Sequence, residues 1–468
     1  MTAEVKNILQ EKKNTNPSLV LLVVLILAVV LTWVIDSGKY QRQDKKVIAG
    51  TYQIIHKNRA PENILGLSSS DAGAQSASPA GIIQALRSVP EGIIKQSGLI
   101  IMVLFIGGMF GILNQTGAIM KGLEKVLYIT KGRIVILVPA LMLCFSAGST
   151  FLGLAKEYLL LVPLVVGLLA RIGLPAIYGL GIVAISVKLG YMSSVTNPYA
   201  LTIAQPLAGV PLFSGMALRI GGYFIFLIAG ILFMILAIRR HGCLPYKRET
   251  EGETTLTGRQ RVLLLLLISG VAAMVFGAQK WHWKNNDIAA WYLFMSIVIS
   301  AFSGMSANTC ADAFVEGMKK TLIAALLIGL ATAVEIVLTK AQVLDTIIFN
   351  LSNLVSDHGP LVSAYSMFTT QLILDFAIPS TSGQAAVTMP VMAPLGQLSG
   401  VSAQSTVLAF LLGHGLTNLI TPTSSGLLVL LAAAQVGWGQ WAKFILPLFF
   451  IYALLAIGML SFAIYTGY

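Results

Sequence analysis

The sequence predicts an all-α integral membrane protein of about nine transmembrane helices and two re-entrant hairpins, arranged as two inverted repeats that each contain a broken helix. Three observations predict this fold: the composition, the lengths of the apolar runs, and the polar stretches inside some of those runs. Of the 468 residues, 56% are hydrophobic and 11% are charged, whereas a soluble domain carries about 25% charged residues. No polar block of soluble-domain size interrupts the chain, so we expect one membrane domain over residues 1–468.

The charge and cysteine patterns exclude several classes of protein. The net charge of +12 does not indicate a nucleic-acid partner, because the Lys and Arg residues are spread over loops between apolar runs, where they set membrane orientation. Cys144, Cys243 and Cys310 have neither disulfide nor zinc-ligand spacing. The apolar run at residues 18–35 has no small-residue cleavage site after it, so we expect a retained helix rather than a signal peptide.

Transmembrane spans follow from the apolar runs, since a helix needs about 20 apolar residues to cross a hydrocarbon core of about 30 Å. The spans at 175–206 and 402–436 are longer than a straight crossing requires, and each contains a polar stretch, so we predict that both are discontinuous helices. The predicted spans are residues 18–36, 97–116, 175–206, 218–238, 262–279, 288–305, 321–340, 402–436 and 443–466.

Two further apolar blocks are each divided by a small polar patch. Residues 133–172 contain "SAGST" at 146–150, and residues 360–398 contain "PSTSGQ" at 379–384. We interpret both blocks as hairpins that turn back within the membrane. With the N-terminus in the cytoplasm and the C-terminus outside, this interpretation places the basic loops in the cytoplasm, as the positive-inside rule requires.

The order of these elements recurs, which predicts an internal repeat. Residues 97–238 form repeat 1 and residues 321–466 form repeat 2, each with a helix, a hairpin, a broken helix and a final helix. The first copy enters from outside and the second from inside, as in the inverted repeats of secondary transporters. The remaining segments are a first scaffold helix at 18–36, an external excursion at 37–96, a cytoplasmic loop at 239–261 and scaffold helices at 262–305.

The polar breaks, "SSVTNPYA" at 193–200 and "LTNLITPTSSG" at 416–426, predict the functional site. Irregular backbone at membrane depth is tolerated only where it is buried in protein or lines a cavity. The alternative is a Pro or Gly kink whose hydroxyls bond to their own backbone. Short side-chain oxygens suit a substrate carboxylate or an alkali cation, the latter near Asn197 and Asn418. The predicted substrate-binding residues are Ser146, Gly148, Ser149, Thr150, Glu157, Ser194, Thr196, Asn197, Ser380, Thr381, Ser382, Gly383, Thr417, Asn418, Thr421 and Thr423.

Ionisable residues within the apolar spans are functional candidates, because a charge at membrane depth is costly. Lys156 and Glu157 alternatively form a structural pair, and His414 alternatively is a satisfied core residue. Lys188 supports a sharper hypothesis: its ammonium fills a cation site, and its protonation couples transport to the proton gradient. The predicted coupling residues are Lys156, Lys188, Asp375, His414 and Glu335.

Several stretches resemble one family of carriers: "TWVIDSGKY", "GLAKEY", "SSVTNPYALTIAQPLAGVPLFSG", "IPSTSGQAAVTMPVMAPL" and "GLTNLITPTSSGLL". The chain resembles the YfcC-like branch of the anaerobic C4-dicarboxylate carrier (DcuC) family, within the ion transporter superfamily. This resemblance implies an inner-membrane, homodimeric secondary transporter with an elevator mechanism, and substrates that include dicarboxylates and exchanged basic amino acids such as arginine and ornithine. The chain departs from its relatives at two places: it has Lys156 and Glu157 where they often carry two adjacent acids, and Lys188 where they usually carry a small residue. The two added positive charges disfavour a cationic substrate unless Glu157 and Asp375 neutralise them.

We therefore expect a secondary active transporter for a small carboxylate-bearing metabolite, either an amino acid, with basic amino acid exchange included, or an organic acid. A C4-dicarboxylate carrier is the alternative, and a channel or a non-transporting receptor is the alternative from a different class. No enzyme is expected, because the sequence contains no recognisable nucleophile–base pair, metal cluster or phosphate loop. We expect no cofactor apart from a coupling H+ or Na+. The expected partners are a small-molecule substrate, the lipid bilayer and a second copy of the chain, and nucleic acid is not expected.

Overall fold

The computed structural model describes residues 17–43, 46–48, 50–65, 76–130, 133–242, 256–281, 283–353 and 359–468, and the Lys156 side chain is among several within these ranges that it does not describe. The predicted roles of Cys243 and of Lys156 as a side chain therefore lie outside the described residues. The helices are α1 (Pro17–Val34), α2 (Ile82–Lys95), α3 (Ser97–Gln115), α4 (Ala118–Thr130), α5 (Ile134–Leu152), α6 (Val162–Ala170), α7 (Ala176–Ser193), α8 (Pro198–Leu207), α9 (Met216–His241), α10 (Gly258–Lys280), α11 (Asn285–Ser303), α12 (Ala307–Lys340), α13 (Leu344–Ser352), α14 (Pro360–Leu374), α15 (Thr381–Leu398), α16 (Ala403–Thr417), α17 (Ser425–Ala433) and α18 (Trp438–Thr466). The strands are β1 (Ser37–Lys39), β2 (Arg42–Gln43), β3 (Lys46–Val47), β4 (Gln53–Lys57) and β5 (Ser76–Ala77), and short 3-10 helices span Pro61–Ile64 and Lys156–Leu161.

Seven helical units in the described chain are long and apolar enough to cross a membrane, by length and composition. One of them is the broken unit Ala176–Leu207, which comprises α7 and α8. The predicted spans at 18–36 and 262–279 coincide with α1 and α10, and the predicted broken span at 402–436 is divided into α16 and α17. The protein is thus a multi-pass helical membrane protein.

The helices pack as two groups. In the first, α12 packs along α1, α2 and α3, and α3 also packs against α11. In the second, α5 and α6 pack on α7, α14 and α15 pack on α16, and α7 packs against both α9 and α16. Helix α8 crosses to α15, while α17 contacts α12 and so joins the two groups. The broken helices therefore lie in the second group, next to α5–α6 and α14–α15, the two pairs predicted as re-entrant hairpins. Because α5 is one of the seven helical units long enough to cross a membrane, the re-entrant path of the first hairpin stays a prediction.

Small residues bring α3 and α12 together. A Cβ atom on Gly107 would lie 2.7 Å from the Gly317 carbonyl oxygen, and one on Gly111 would lie 3.0 Å from the Gly317 Cα. Glycines at such a contact let two helix backbones approach closely, which is how helices associate in membranes. The first packing group is therefore held by backbone proximity.

Helix α12 begins earlier than the sequence predicts. The apolar pattern predicts a span at 321–340, whereas the helix starts at Ala307. Ser306 caps it, because its hydroxyl accepts a hydrogen bond from the Thr309 N–H at 3.2 Å. Hydropathy marks only the lipid-compatible part of a helix, so it misses a polar first half.

The first hairpin turns later than its polar patch. The patch at residues 146–150 lies inside α5, and the chain turns at Gly153, whose φ of +72° is readily adopted by glycine. The predicted turn position was wrong because the Ser149 hydroxyl finds an acceptor on α7, the Val187 carbonyl at 2.8 Å, so the polar patch is accommodated within a helix. In the second hairpin, α14 ends at Leu374 and α15 begins at Thr381, so the turn includes the predicted Pro379 and Ser380.

The element order α3, α4, α5–α6, α7–α8, α9 recurs as α12, α13, α14–α15, α16–α17, α18. The short helices α4 and α13, which the sequence did not predict, occupy the same place in each copy. The inverted relation between the copies stays a prediction. The recurrence nevertheless gives each hairpin and each broken helix a counterpart.

The strands form a small cap on α13. β1 pairs antiparallel with β4, with Ser37 opposite Ile55, and β2 pairs antiparallel with β3. The Asp345 carboxylate, 7% exposed, accepts a hydrogen bond from the Tyr40 N–H at 3.0 Å and pairs with Arg42 at 2.6 Å. Asp345 therefore fastens β1 and β2 to α13.

Replacing Asp345 with Ala is expected to lower the free energy of unfolding by about 1–3 kcal/mol, because a buried backbone donor and a guanidinium lose their acceptor. Limited proteolysis should also cleave the Asp345→Ala variant between Tyr40 and Arg42 faster than it cleaves the parent protein. Asp36→Ala is the matched control: its pair with Arg59 is exposed on both sides, and exposed pairs contribute about 0–1 kcal/mol. Equal losses in the two variants would contradict this role of Asp345.

Candidate functional site

The first break separates α7 from α8. Helix α7 ends at Ser193, and Ser194 adopts a left-handed conformation with φ +38°. Pro198 is the first residue of α8, where its missing N–H costs nothing. Asn197 caps α8, because its Oδ1 accepts a hydrogen bond from the Tyr199 N–H at 2.9 Å. Ser194 thus ends one half-helix, and Asn197 with Pro198 starts the next.

The first hairpin supplies hydrogen-bond partners to the first break. The Thr150 hydroxyl accepts from the Val195 N–H at 3.0 Å, and the Thr150 carbonyl accepts from the Thr196 N–H at 3.1 Å. In return, the Thr196 hydroxyl donates to the Phe151 carbonyl at 2.9 Å. These contacts satisfy backbone groups that would otherwise be unpaired inside the helix bundle.

The second break separates α16 from α17. Helix α16 ends at Thr417, whose hydroxyl donates to the Leu372 carbonyl of the second hairpin at 2.9 Å. Ser424 caps α17 by accepting from the Leu427 N–H at 3.2 Å. Between them, Thr421 and Thr423 hydrogen-bond to each other at 2.8 Å. Both breaks are therefore ordered by side chains at the ends of their own half-helices.

Each break receives a donor from the helix that closes its repeat. Arg219, in the first turns of α9, donates to the Val195 carbonyl at 3.2 Å. Trp441, in the first turns of α18, donates to the Leu419 carbonyl at 2.9 Å. Both side chains are almost completely buried. Positions at the same place in the two copies therefore satisfy a free carbonyl of each break.

A polar cluster joins the first broken helix to the second break. The Lys188 ammonium of α7 donates to the Asn418 side-chain oxygen and to the Ser424 hydroxyl, the latter at 3.5 Å. Ser424 also donates to the same Asn418 oxygen at 2.8 Å. Lys188 is 8% exposed, so this is a cation inside the helix bundle with side-chain oxygens as its partners.

Asn418 links this cation to a buried carboxylate. Its side-chain amide donates to Asp375 at 3.2 and 3.4 Å and to the Pro379 carbonyl at 3.4 Å. Asp375 has no exposed surface and also pairs with His414 Nδ1 at 2.6 Å. The Asn418 amide therefore faces the ammonium of Lys188 with its oxygen and the carboxylate of Asp375 with its nitrogen.

His414 connects the cluster to the second hairpin. Its Nε2 lies 2.8 Å from the Thr381 hydroxyl, and its Nδ1 lies 2.9 Å from the Gln384 side-chain oxygen. Gln384 in turn donates to the side-chain oxygen of Gln371 at 2.8 Å. We define the central cluster as Lys188, Asn418, Ser424, Asp375 and His414. It unites α7, both sides of the second break, and the turn of the second hairpin.

Glycines bring the two broken helices and the first hairpin into contact. A Cβ atom on Gly415 would lie 2.6 Å from the Met192 Cα, and one on Gly190 would lie 2.5 Å from the Ser149 Cβ. Such distances leave no room for a larger side chain. Met192 and Gly415 each lie a few residues before a break, so this packing brings the two breaks near one another.

Gly190→Ala is expected to destabilise the protein by about 1–3 kcal/mol, because an added methyl group would overpack the contact with Ser149 and Thr150. The measurement is the melting temperature of the purified protein in detergent. Gly221→Ala and Gly458→Ala are the controls, since a Cβ at either position meets nothing within 4 Å. A Gly190 variant as stable as these controls would contradict the packing described.

The structure brings together five predicted residues, Lys188, Asp375, Asn418, His414 and Thr381, and it gathers Ser149, Thr150, Thr196 and Asn197 at the first break. Other predicted residues have partners elsewhere. Glu335 pairs with Lys95 at 3.0 Å, away from both breaks. The remaining placements are Ser146 bonded to Tyr223, Gly148 against Tyr158, Glu157 buried and bonded to the Ala155 N–H, Ser194 bonded to the Tyr191 carbonyl, Ser380 as the α15 cap of Gly383, and Ser382 exposed.

Five contributors were missed by the sequence reasoning: Ser424, Gln384, Gln371, Arg219 and Trp441. Ser424 and Gln384 belong to the quoted polar stretches and would have been found by including every polar residue of each stretch. Gln371 and Arg219 are isolated polar residues in helices. Arg219 had a usable signal, because a lone Arg next to an apolar run is unusual at membrane depth.

Two cavities lie beside α17, the half-helix that follows the second break, and between the two packing groups. Their volumes are about 340 and about 250 Å³. Both are lined by Lys320 of α12 and by Ala432 and Gln435, at and just beyond the end of α17. Both cavities are therefore situated where α12 of the first group meets the end of α17 in the second.

The site offers two kinds of chemistry. Side-chain oxygens around Lys188 accept a cation, and the capped N-termini of α8, α15 and α17 carry the partial positive charge that favours a carboxylate. Asn197, Ser380 and Ser424 are the respective caps. A ligand that carries a carboxylate would therefore find complementary groups at the same place where a cation is already held.

Residues 17–465 match the sequence profile of DcuC, described as the C4-dicarboxylate anaerobic carrier. The chain is 32% identical over 370 residues to the Escherichia coli K12 protein named "Putative basic amino acid antiporter YfcC", a match that covers 74% of this chain and 73% of that protein. It is 28% identical over 495 aligned residues to an uncharacterized protein of Haemophilus influenzae Rd, with 96% and 97% covered.

Two solved structures are similar at low identity. They are the YdaH transporter of Alcanivorax borkumensis, with a TM-score of 0.44, 17% identity and coverage of 97% of this chain and 99% of that one, and MtrF of Neisseria gonorrhoeae, described with a class of antimetabolite efflux pumps, with a TM-score of 0.43, 16% identity and coverage of 96% and 95%. Similarities of this extent carry no inference for this chain.

Proposed function

We propose, because this chain belongs to the C4-dicarboxylate anaerobic carrier family of membrane transporters, that it is a secondary active transporter of a small carboxylate-bearing metabolite. The family resemblance seen in the sequence is thereby confirmed. The substrate we propose is an amino acid or an organic acid. We further propose that the protein works in the inner membrane, with its N-terminus in the cytoplasm and its C-terminus outside.

One observation carries this proposal: the central cluster joins a broken helix of one repeat to the break and the hairpin of the other. Lys188 contacts Asn418 and Ser424, and Asn418 contacts Asp375. Broken helices that meet in this way are where secondary transporters bind substrate and coupling ion. A plain helix kink, the alternative for each break, does not account for charged groups of two repeats in one cluster.

The charges favour an anionic or neutral substrate. Lys188 and Arg219 are buried cations, while the Asp375 carboxylate is already paired with His414 and Asn418. A guanidinium substrate would have to displace these partners. A C4-dicarboxylate is accordingly our second candidate, supported also by the description of the family. Exchange of basic amino acids, suggested by the name of the Escherichia coli relative, is our third.

We propose an elevator mechanism in which the second packing group, with both hairpins and broken helices, moves against the first. The cavities between α12 and the end of α17 support this proposal, because an incompletely packed contact is easier to shear than a filled one. A homodimer would anchor the first group. Cross-links between α12 and α17 should block transport if the groups move relative to each other.

The defining experiment is uptake into liposomes that contain the purified protein. We expect concentrative uptake of one carboxylate-bearing compound that is abolished by an ionophore which dissipates the driving gradient. Thermal stabilisation across amino acids and mono- and dicarboxylates identifies the compound, since a ligand at a hundredfold excess over its Kd adds about 2.7 kcal/mol to native-state stability. Uptake that only equilibrates the compound would favour the channel alternative and contradict the proposal.

A further inference from the structure

We propose that the ammonium of Lys188 is a tethered cation, which fills a cation position in the transport site and makes binding independent of any free alkali cation. This inference rests on the proposed transport function and deepens it by naming what occupies the ion position. Its distinguishing consequence is that sodium and potassium have no specific effect on the protein as it exists, whereas removal of the ammonium creates a binding position for a small free cation.

The contacts of Lys188 resemble the coordination of an ion more than the pairing of a surface lysine. The ammonium has two oxygen partners, the side-chain amide oxygen of Asn418 and the Ser424 hydroxyl, and neither carries a formal charge. Both lie at the second break, at the end of one half-helix and the start of the next. Broken helices hold coupling cations with oxygens of this kind.

Of the two helix ends that meet here, the C-terminus of α16 favours a cation, whereas the N-terminus of α17, capped by Ser424, carries partial positive charge and does not. Asn418 directly follows α16, which ends at Thr417, and the C-terminus of a helix carries partial negative charge. A cation in the interior needs such partners because its hydration is lost. Lys188 meets this requirement with a side chain that α7 holds in place, since α7 packs against α16.

The negative charge near Lys188 is sufficient to balance one cation. Asp375 lies on the other side of the Asn418 amide, and His414 lies on the far side of Asp375. A second cation beside the ammonium would experience strong repulsion, because charges in a protein interior are weakly screened. Lys188 and a free alkali cation therefore exclude each other.

Asn418 makes the arrangement directional. Its oxygen faces Lys188 and Ser424, while its nitrogen faces Asp375. This fixes the amide orientation and transmits the position of the cation to the turn of the second hairpin, where Asn418 also contacts the Pro379 carbonyl. A cation in this position therefore affects the turn of the second hairpin, the element that would gate the site.

The test measures cation binding without substrate. Parent, Lys188→Ala and Lys188→Met are purified, and their melting temperatures are compared in sodium, potassium, methylammonium and tetramethylammonium chloride at constant ionic strength. Lys188→Ala removes the ammonium and leaves room for a small cation, whereas Lys188→Met fills much of the same volume without charge. Tetramethylammonium is the size control, because it has no N–H donors and is too large.

We expect the parent to give the same melting temperature in all four salts. Lys188→Ala should melt at a lower temperature and should be restored, in a saturable manner, by methylammonium or sodium but not by tetramethylammonium. Lys188→Met should not be restored by any of them. A purely structural lysine would give a loss of stability without this selective restoration.

Specific stabilisation of the parent by sodium would overturn the inference, as would a folded Lys188→Ala protein that no small cation restores. If Lys188→Ala does not fold, two other measurements test the inference. Substrate transport by the parent should not need sodium, and Lys188→Met should be folded but inactive; the opposite result in either overturns the inference. Failure of uptake by the parent for every substrate would instead count against the proposed function.

Discussion

Asp375→Asn is expected to abolish substrate transport and to lower the melting temperature of the purified protein. The Asp375 carboxylate has no exposed surface, pairs with His414 and accepts from Asn418. Asn preserves the shape and removes the negative charge that lies on the other side of the Asn418 amide from the Lys188 ammonium. It also leaves His414 Nδ1 without its carboxylate partner, and a buried polar group that loses its partner costs about 1–3 kcal/mol. Asp312→Asn, at an exposed position of α12, is the matched control.

The double variant Asp375→Asn with Lys188→Met tests whether the charges of these two residues contribute jointly to stability. Replacing both members of a buried charged pair is often close to neutral, because no isolated charge remains. The double variant should therefore regain most of the stability that Asp375→Asn loses, while transport stays absent. Losses that simply add would show that Lys188 and Asp375 are energetically independent. The central cluster would then not be a functional unit.

Asn418→Ala is expected to weaken substrate binding by about 100-fold or more, equivalent to roughly 2.7 kcal/mol. Ala removes the acceptor of Lys188 and the donor to Asp375 in one step, so both buried charges lose a partner. The measurement is the ligand concentration needed for half-maximal thermal stabilisation, with exposed Asn353→Ala as the control. Unchanged affinity in a folded Asn418 variant would remove the second break from the site.

The corresponding residue of the first break should behave differently. Asn197 caps α8 and contacts the Ser149 carbonyl at 3.4 Å, and Asn197→Ala removes that cap at a cost of about 1 kcal/mol. If both breaks hold substrate, Asn197→Ala also lowers affinity beyond this loss. A loss of stability with unchanged affinity would restrict binding to the second break. Comparing the two asparagine variants therefore shows whether one break or both breaks contribute to substrate binding.

These predictions concern residues that the sequence identified one by one. Only the tertiary structure shows that they contact each other. Lys188 and Asn418 are 230 residues apart in the chain, and Asn418 and Asp375 are 43 apart. Composition identified each as a polar residue in an apolar run. It contained no information on which of them would share a hydrogen bond. Glu335 met the same criterion and instead pairs with Lys95, outside the cluster.

The membrane class, the main apolar helices and the two breaks could be predicted from the sequence. These features follow from a local constraint: hydrocarbon accepts only apolar side chains and satisfied backbone, so long apolar runs and the polar stretches within them are visible along the chain. The tertiary structure alone decided where the first hairpin turns, where α12 begins and which side chains form the site. Those outcomes depend on contacts between distant helices, such as Gly415 against Met192 and Ser149 on Val187, and no local pattern records them.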